Sequence, residues 1–260
     1  MSAYPSHPRA TIGRYRNRGA YDFQAIHSVV NAAPVLHLSF IPSETDPFPT
    51  IIPLLGQMGS FANPDADPSS EPLDLYIHTH ASTRLVKLVA SQTEDGEKGL
   101  PVCASAALVD GYVLALTPFN HSCNYRSAVL HGYATPVTDE AERLYAMELI
   151  TNGLIPERWG NSRVPPTKTE LQTTGILKVT IESASGKVRA AGAANDKQDL
   201  ENEGVIGKVW TGVVPLWQTL GEPVSNEHNR VPVPAYLDNW RKEANERGEE
   251  YAVETARKKY

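Results

Sequence analysis

Thr117-Pro118-Phe119-Asn120-His121-Ser122-Cys123-Asn124-Tyr125-Arg126-Ser127-Ala128-Val129-Leu130-His131-Gly132-Tyr133-Ala134 sets the reading of this chain. From Phe119 to Ser127 it gathers most of the non-acidic hydrogen-bonding side-chain types, and from there it turns into an apolar run ending at Gly132. A polar cluster that leads into a buried strand is the pattern of a site mounted on a rigid scaffold. Alternation on that strand sends Asn124, Arg126 and Ala128 to one face and Tyr125, Ser127 and Val129 to the other. One face can meet a ligand while the other enters the core.

Outward from this stretch, the chain has 260 residues, 41% of them hydrophobic, which is enough for one large domain or two small ones. A net charge of −6 argues against nucleic acid as a partner, because counterion displacement needs a basic surface. No run of about 20 apolar residues marks a membrane span, and no apolar segment follows Met1, so a cytoplasmic location is expected. Cys103 and Cys123 show no CxxC spacing and read as small buried hydrophobes.

Residues 1–20 form an arm rich in Pro, Gly and Arg, either solvated or crossing a partner subunit. Asp22 can cap a helix whose stripe is Ala25, Ile26, Val29 and Val30. Leu36, Leu38 and Phe40 alternate as a strand, and Thr50 to Leu55 make a second in which Pro53 removes a backbone donor and implies an edge, a bulge or a kink. Residues 59–72 read as a mobile Pro-rich loop, and Leu73, Leu75 and Ile77 as a third strand.

This strand meets a helix at His78-Thr79-His80-Ala81-Ser82-Thr83-Arg84, with Ser82 as the expected N-cap. Free first-turn amides beside the Arg84 guanidinium would bind phosphate, although the same residues also suit an ordinary capped helix with a solvated arginine. His78 and His80 share a strand face, but with no third ligand they do not make a metal site. Pro101–Leu108 and Tyr112–Leu116 read as two strands joined by a turn at Asp110-Gly111. Thr138 is expected to cap a helix with the stripe Ala141, Leu144, Met147, Ile150 and Leu154, and Thr167 with Glu170 to box a shorter helix ended by Gly175. After a strand at Leu177–Ile181, Ser183 to Arg189 is either an anion-gripping turn or a solvated one. Residues 190–206 read as a loop, Val209–Leu216 as the last strand and Tyr236–Lys259 as a helical tail.

Six or seven short strands without a repeated βαβ pattern predict a mainly β protein, an antiparallel barrel or sandwich with peripheral helices. The absence of GxGxxG, Walker, HExxH and GxSxG motifs weighs against Rossmann enzymes, nucleoside triphosphatases, zinc proteases and α/β-hydrolases.

Taken in order, Tyr21-Asp22, Ile52-Pro53-Leu54, Leu75-Tyr76-Ile77-His78 with Ser82 to Leu85, His121-Ser122-Cys123-Asn124-Tyr125-Arg126-Ser127, Lys187-Val188-Arg189 and Trp210-Thr211-Gly212 resemble the pyridoxamine 5′-phosphate oxidase-like flavoproteins. Within them the chain is most similar to the nitroimidazole-resistance and flavin-nucleotide-binding branch. The resemblance spans roughly residues 9–220. It implies an FMN-binding split β-barrel of antiparallel Greek-key type over residues 21–220, after the 1–20 arm and before a 221–260 tail. It also implies a homodimer with FMN at the interface. His78, Thr79, Ser82, Thr83 and Arg84 would hold ribityl and phosphate groups, and Thr50, Ile52, Pro53 and Leu54 would run along the isoalloxazine. Asn124, Tyr125 and Ser127 match a second flavin-contacting strand, and Trp210 an aromatic near the ring or substrate. His121 matches an active-site histidine, with a hydrogen-bonded structural role as the alternative. Leu85 stands where the phosphate-clamp lysine of true pyridoxamine phosphate oxidases belongs, so that reaction is not implied. The expected activity is electron transfer from a reduced nicotinamide to a small nitro-aromatic or quinone acceptor. The alternative is a non-catalytic carrier of FMN, or of haem with His121 as an axial ligand.

Overall fold

The structure, a computed structural model, describes residues 3–93 and 98–259. The chain forms two compact units, Met1–Ala107 with Ser127–Lys187 and Leu108–Arg126 with Val188–Tyr260.

The strands are β1 (Gly19–Ala20), β2 (Leu36–Phe40), β3 (Thr50–Gly59), β4 (Asp74–His80), β5 (Leu100–Leu114), β6 (Ser122–Pro136), β7 (Thr174–Arg189) and β8 (Gly212–Pro215). Six of them run in the order β7-β4-β3-β2-β5-β6, and β6 pairs back onto β7, so the sheet closes into a barrel. β1 joins β7 from outside and β8 pairs β5. The expected antiparallel barrel with peripheral helices is therefore present. Closure pairs the two end strands of the sheet with each other, which leaves fewer free edges to recruit another chain.

Inside the first unit, Leu36, Leu38 and Phe40 on β2, Leu75 and Ile77 on β4, Val102 and Ala104 on β5, Ala128 and Leu130 on β6 and Leu177 and Val179 on β7 fill one core. Each fully buried aliphatic chain contributes about 1.5–3 kcal/mol. Helix α1 (Phe23–Ala32) lays Ile26, Val29 and Val30 on this core, and the Asp22 carboxylate accepts from Ala25 N at 2.8 Å, the expected cap. Tyr76 does not follow the simple alternation of β4. Its outward ring is also fully buried, because helix α3 (Glu140–Leu154) covers it with Ala146 and Ile150. Its hydroxyl donates to Glu142 at 2.7 Å, and Lys178 donates to the same carboxylate oxygen at 2.8 Å.

Several local expectations give way to tertiary contacts. The N-cap of α3 is Asp139 rather than Thr138, and Ala141 and Leu154 are exposed while Ala146 and Ile150 carry the buried face. Asp110-Gly111 is no turn, since β5 passes straight through it. Asp110 is buried and accepts from both Arg126 Nε at 3.0 Å and Nη2 at 2.6 Å, so its carboxylate is held by a guanidinium fork. Helix α4 (Lys168–Thr173) has the expected capping box, but Gly175 lies within β7, where a Cβ would meet Val86 and Thr79 side chains at 3.0 and 3.2 Å. β7 also runs through Ser183 to Arg189 where a turn was expected. Residues 190–206 contain the short helices α5 (Lys197–Leu200) and α6 (Glu203–Ile206).

The N-terminal arm is anchored within its own unit. Tyr4 is buried against Phe23, with ring centroids 4.8 Å apart, and its hydroxyl meets His27 Nε2 at 2.7 Å. In the second unit, helix α7 (Ala235–Arg257) packs on β8, and Tyr251 places its ring 3.9 Å under the Arg126 guanidinium. Asn245 ties α7 to Leu220 through two hydrogen bonds, accepting from Leu220 N at 2.7 Å and donating to Leu220 O at 3.0 Å.

Candidate functional site

The β4 strand ends at His80, and helix α2 (Arg84–Thr93) begins four residues on. Its capping hydroxyl is Thr83, which accepts from Val86 N at 3.5 Å, and not Ser82. Ser82 is engaged elsewhere, since His80 Nδ1 accepts from both its amide at 3.1 Å and its hydroxyl at 2.8 Å. That arrangement opens the first turn of α2. Arg84 and Ser82 are exposed there, Thr83 is half-buried, and no acidic residue sits in the turn to cancel the positive helix end. Among the described residues Arg84 donates only a long 3.4 Å bond, to Pro42 O. Leu85, at the position of the absent lysine, is fully buried in the core.

The β3 stretch lies next to this corner. Leu55 is opposite His78, whereas Thr50 to Leu54 pair with β2 alone. The β4-facing backbone of Thr50–Leu54 is therefore an open edge, and Pro53 sits in it, as its missing N–H requires. In the first unit, register sets the Thr50–Leu54 stretch beside the end of β4, but the sequence-based residues divide between two faces: Pro53, His78, Ser82 and Arg84 are exposed, whereas Thr79 is buried and Ile52 and Leu54 pack on the core. Ser127 belongs to the same unit and donates to Lys187 O at 3.3 Å.

The remaining candidates stand in the second unit. Asn124 is fully buried, and its side-chain oxygen accepts from Arg189 Nη1 and from Ala191 N. Arg189 also donates to the Ala191 and Gly192 carbonyls, so it is not free to grip an anion as the turn reading required. Tyr125 is half-buried on the alternate face of β6. His121 is exposed, and its Nδ1 accepts from Ala115 N at 2.9 Å, which leaves the proton of the neutral ring on Nε2. Trp210 lies outside β8, 64% exposed, with its indole against Gly212. Among the described residues no cluster of three or more His, Cys, Asp or Glu is arranged to hold a metal ion, and no helix is long and apolar enough to cross a membrane.

Sequence reasoning missed a pair of adjoining cavities in the first unit. One, of about 250 Å³, is bordered by Arg9, Ser39, Cys103, His131 and Tyr133, and the other, of about 670 Å³, by Leu88, Lys98, Leu100 and again Tyr133. Alternation along β6 does put His131 on the outer face. Nothing local says which other residues join it there.

The family model described as pyridoxamine 5′-phosphate oxidase matches residues 22–188, well over half of the chain. The protein belongs to that family. Its fold is similar to that of the flavocytochrome Anf3 from Azotobacter vinelandii, with a TM-score of 0.72, 26% identity, and coverage of 90% of this chain and 97% of that one. It is also similar to a FAD and haem binding protein from Mycobacterium smegmatis, with a TM-score of 0.69, 23% identity, and coverage of 86% and 97%. A weaker likeness, with a TM-score of 0.47 and 18% identity over 65% of this chain and 86% of that one, is to a protein from Bacteroides thetaiotaomicron assigned to 5-nitroimidazole antibiotic resistance. No curated protein matches the chain.

Proposed function

We propose that the protein binds FMN at the β4–α2 corner and passes electrons from a reduced nicotinamide to a small nitro-aromatic or quinone acceptor. The observation that carries this reading is the exposed Arg84 at an α2 N-terminus without acidic residues, set beside the open edge of Thr50–Leu54. Its chemistry fits a flavin phosphate, since anions gain from helix amides and from a guanidinium fork together. Family membership and the 26% likeness to a flavocytochrome point the same way.

When bound, the flavin supplies the redox chemistry, taking up an electron pair from the donor and giving it to the acceptor. The chain's own residues orient and neutralise. Arg84, the first-turn amides of α2 and the Ser82 and Thr83 hydroxyls hold the phosphate against a net charge of −6. Backbone carbonyls and amides of Thr50 to Leu54, unpaired on the β4 side, are available to the polar edge of the ring. His121 presents Nε2–H outward as a hydrogen-bond donor, suited to holding an acceptor oxygen. Ser127, in the same unit, completes the proposed set, and a cytoplasmic homodimer is its proposed setting.

Arg84→Ala tests the corner. A charge-assisted hydrogen bond contributes about 1.5–3 kcal/mol, so FMN affinity should fall about 10- to 150-fold while riboflavin, lacking the phosphate, loses little. Equal losses for both ligands, or none, would place the phosphate elsewhere. Anaerobic NADH or NADPH should bleach the flavin absorbance of the loaded protein. If neither donor bleaches it, the oxidoreductase reading fails and binding alone remains.

A second reading is that the protein carries haem, with or without the flavin. The flavocytochrome at 26% identity favours it. Absorbance of the purified protein separates the two, since a Soret band reports haem.

A further inference from the structure

Within the first unit the N-terminal arm runs between two fixed ends. At one, Tyr4 is buried, with its hydroxyl 2.7 Å from His27 Nε2 and 3.1 Å from Leu73 O. At the other, Ala10 is buried and Ile12 N donates to the Tyr21 hydroxyl at 2.9 Å. Between them His7, Pro8 and Arg9 are exposed at a single 3-10 turn, Pro8–Ala10, in which Ala10 N donates to His7 O at 2.9 Å and Thr11 N to Pro8 O at 3.2 Å. Arg9 borders the cleft of about 250 Å³ on the outer side of β2, β5 and β6, together with Ser39, Cys103 and His131. The segment is a strap along that cleft, fixed at both ends.

A histidine used as an acceptor fastens its middle. His7 Nδ1 accepts from the Arg9 amide at 3.2 Å and from Arg9 Nε at 3.0 Å, so the turn is capped only while that nitrogen keeps its lone pair. A proton there would set a donor against two donors and an imidazolium against a guanidinium. His131, on β6, lies close enough to feel both charges. Burial, then Arg9 and His7, hold its pKa below the ordinary histidine value, against a smaller effect of the Ser183 backbone on β7. Its Nδ1 is shut off from solvent and makes no full hydrogen bond.

The other titratable groups at the cleft do not offset these charges. Glu182 on β7 pairs with Lys98 at 3.5 Å, Tyr133 on β6 lies under the same ammonium, and burial keeps Cys103 on β5 a neutral thiol. Among the described residues no carboxylate is bonded to His7, Arg9 or His131. The Tyr4 end is built differently. A protonated His27 still donates Nε2–H to the Tyr4 oxygen while the hydroxyl donates to Leu73 O, so that anchor keeps its bonds in acid.

We propose that residues 7–9 are an acid-released strap, which closes the outer cleft at neutral pH and lifts from it when His7 and His131 take up protons, while Tyr4 keeps the arm tethered. Lifting removes Arg9 and His7 from His131 and lets its ring hydrate. The lifted form therefore binds protons more tightly than the closed one and gains as pH falls, by at most about tenfold per pH unit for each proton taken up. The device uses neither the β3 edge nor the α2 N-terminus and does not rest on the flavin reading.

The test is hydrogen exchange of the full chain at pH 7.5, 6.5 and 5.5, read by mass spectrometry on peptides spanning residues 5–14 and corrected for the intrinsic pH dependence of exchange. Protection of the Arg9, Ala10 and Thr11 amides should fall with pH, while the α1 amides, the check on folding, hold theirs. Labelling of Cys103 by N-ethylmaleimide, normalised to a peptide containing Cys103 at the same pH, should rise in parallel. His7→Asn keeps a side-chain oxygen that caps the turn and does not titrate, and His131→Gln puts a neutral amide in place of the ring. Together they should make strap protection independent of pH. Wild-type protection that stays constant across the range, or a double variant that loses it as wild type does, would overturn the proposal. If the strap amides open while Cys103 labelling stays flat, the strap does not close the cleft and that half of the proposal falls. Should the double variant lose α1 protection, His7→Asn alone decides, and a slope equal to that of wild type overturns the clasp.

Discussion

At the residue scale, His27 joins the N-terminal arm to the core. Pro68 O can only accept, so His27 Nδ1, 2.7 Å away, carries the ring proton, and Nε2 accepts from the Tyr4 hydroxyl, which shares its one proton with Leu73 O at 3.1 Å. Burial lowers the His27 pKa below its ordinary 6.5. The folded state then binds fewer protons than the unfolded one just below that pH, so the stability from a neutral His27 is complete above about 6.5 and is lost as pH falls. Urea unfolding at pH 7.5 and 5.0 should show a drop for wild type that is smaller in His27→Gln. Equal drops would mean that other groups carry the pH dependence. Tyr4→Phe should cost about 1–3 kcal/mol at pH 7.5, because it leaves Nε2 buried without a donor. Tyr4 stands in a Pro- and Arg-rich stretch that reads as an irregular arm, and only the partner 23 residues away turns it into an anchor.

At the element scale, strand length was the weakest part of the sequence reading, and for one reason. Turn signals are local, whereas β5 and β7 are kept extended by partners far along the chain. Asp110-Gly111 would turn in a free hairpin. Here Arg126 holds the aspartate, and Gly111 lets β8 approach until Val214 O is 3.0 Å from where a Cβ would stand. A similar constraint acts between β6 and β7, where a Cβ on Gly132 would collide with the Thr180 carbonyl oxygen, a backbone atom with no rotamer to yield. Gly132→Ala should destabilise by about 1–3 kcal/mol or more in urea unfolding. Gly153→Ala on α3 should cost less. There the obstruction is the buried Gln57 side chain, which has rotamers to yield where a carbonyl has none, although moving it gives up its 3.5 Å bond to Asn31 O, and alanine regains up to about 1 kcal/mol of helix propensity. If the two variants rank the other way, the close β6–β7 approach is not what Gly132 provides.

At the scale of the whole molecule, Ile41, Phe48 and Ile51 are 49%, 76% and 61% exposed around the β2–β3 connection of the first unit. A grouped apolar surface of this kind favours the proposed homodimer over a solvated monomer. Sedimentation of flavin-loaded protein at micromolar concentration should give a dimer that Phe48→Glu with Ile51→Glu dissociates. A flavin-loaded wild-type monomer would contradict it. The sequence by itself determined the barrel class, the capped α1 and the boxed α4. Those features are written in periodicity, capping residues and motif order, all carried by neighbours within a few positions. Tertiary structure alone decided that β4 is covered on both faces, that Arg189 is tied down by Asn124, and that Arg9, Ser39, Cys103 and His131 border one cavity. These residues are far apart in the chain, and their meeting depends on strand register and barrel closure. Alternation can assign a side chain to a face, but it cannot name the strand that will lie beside it.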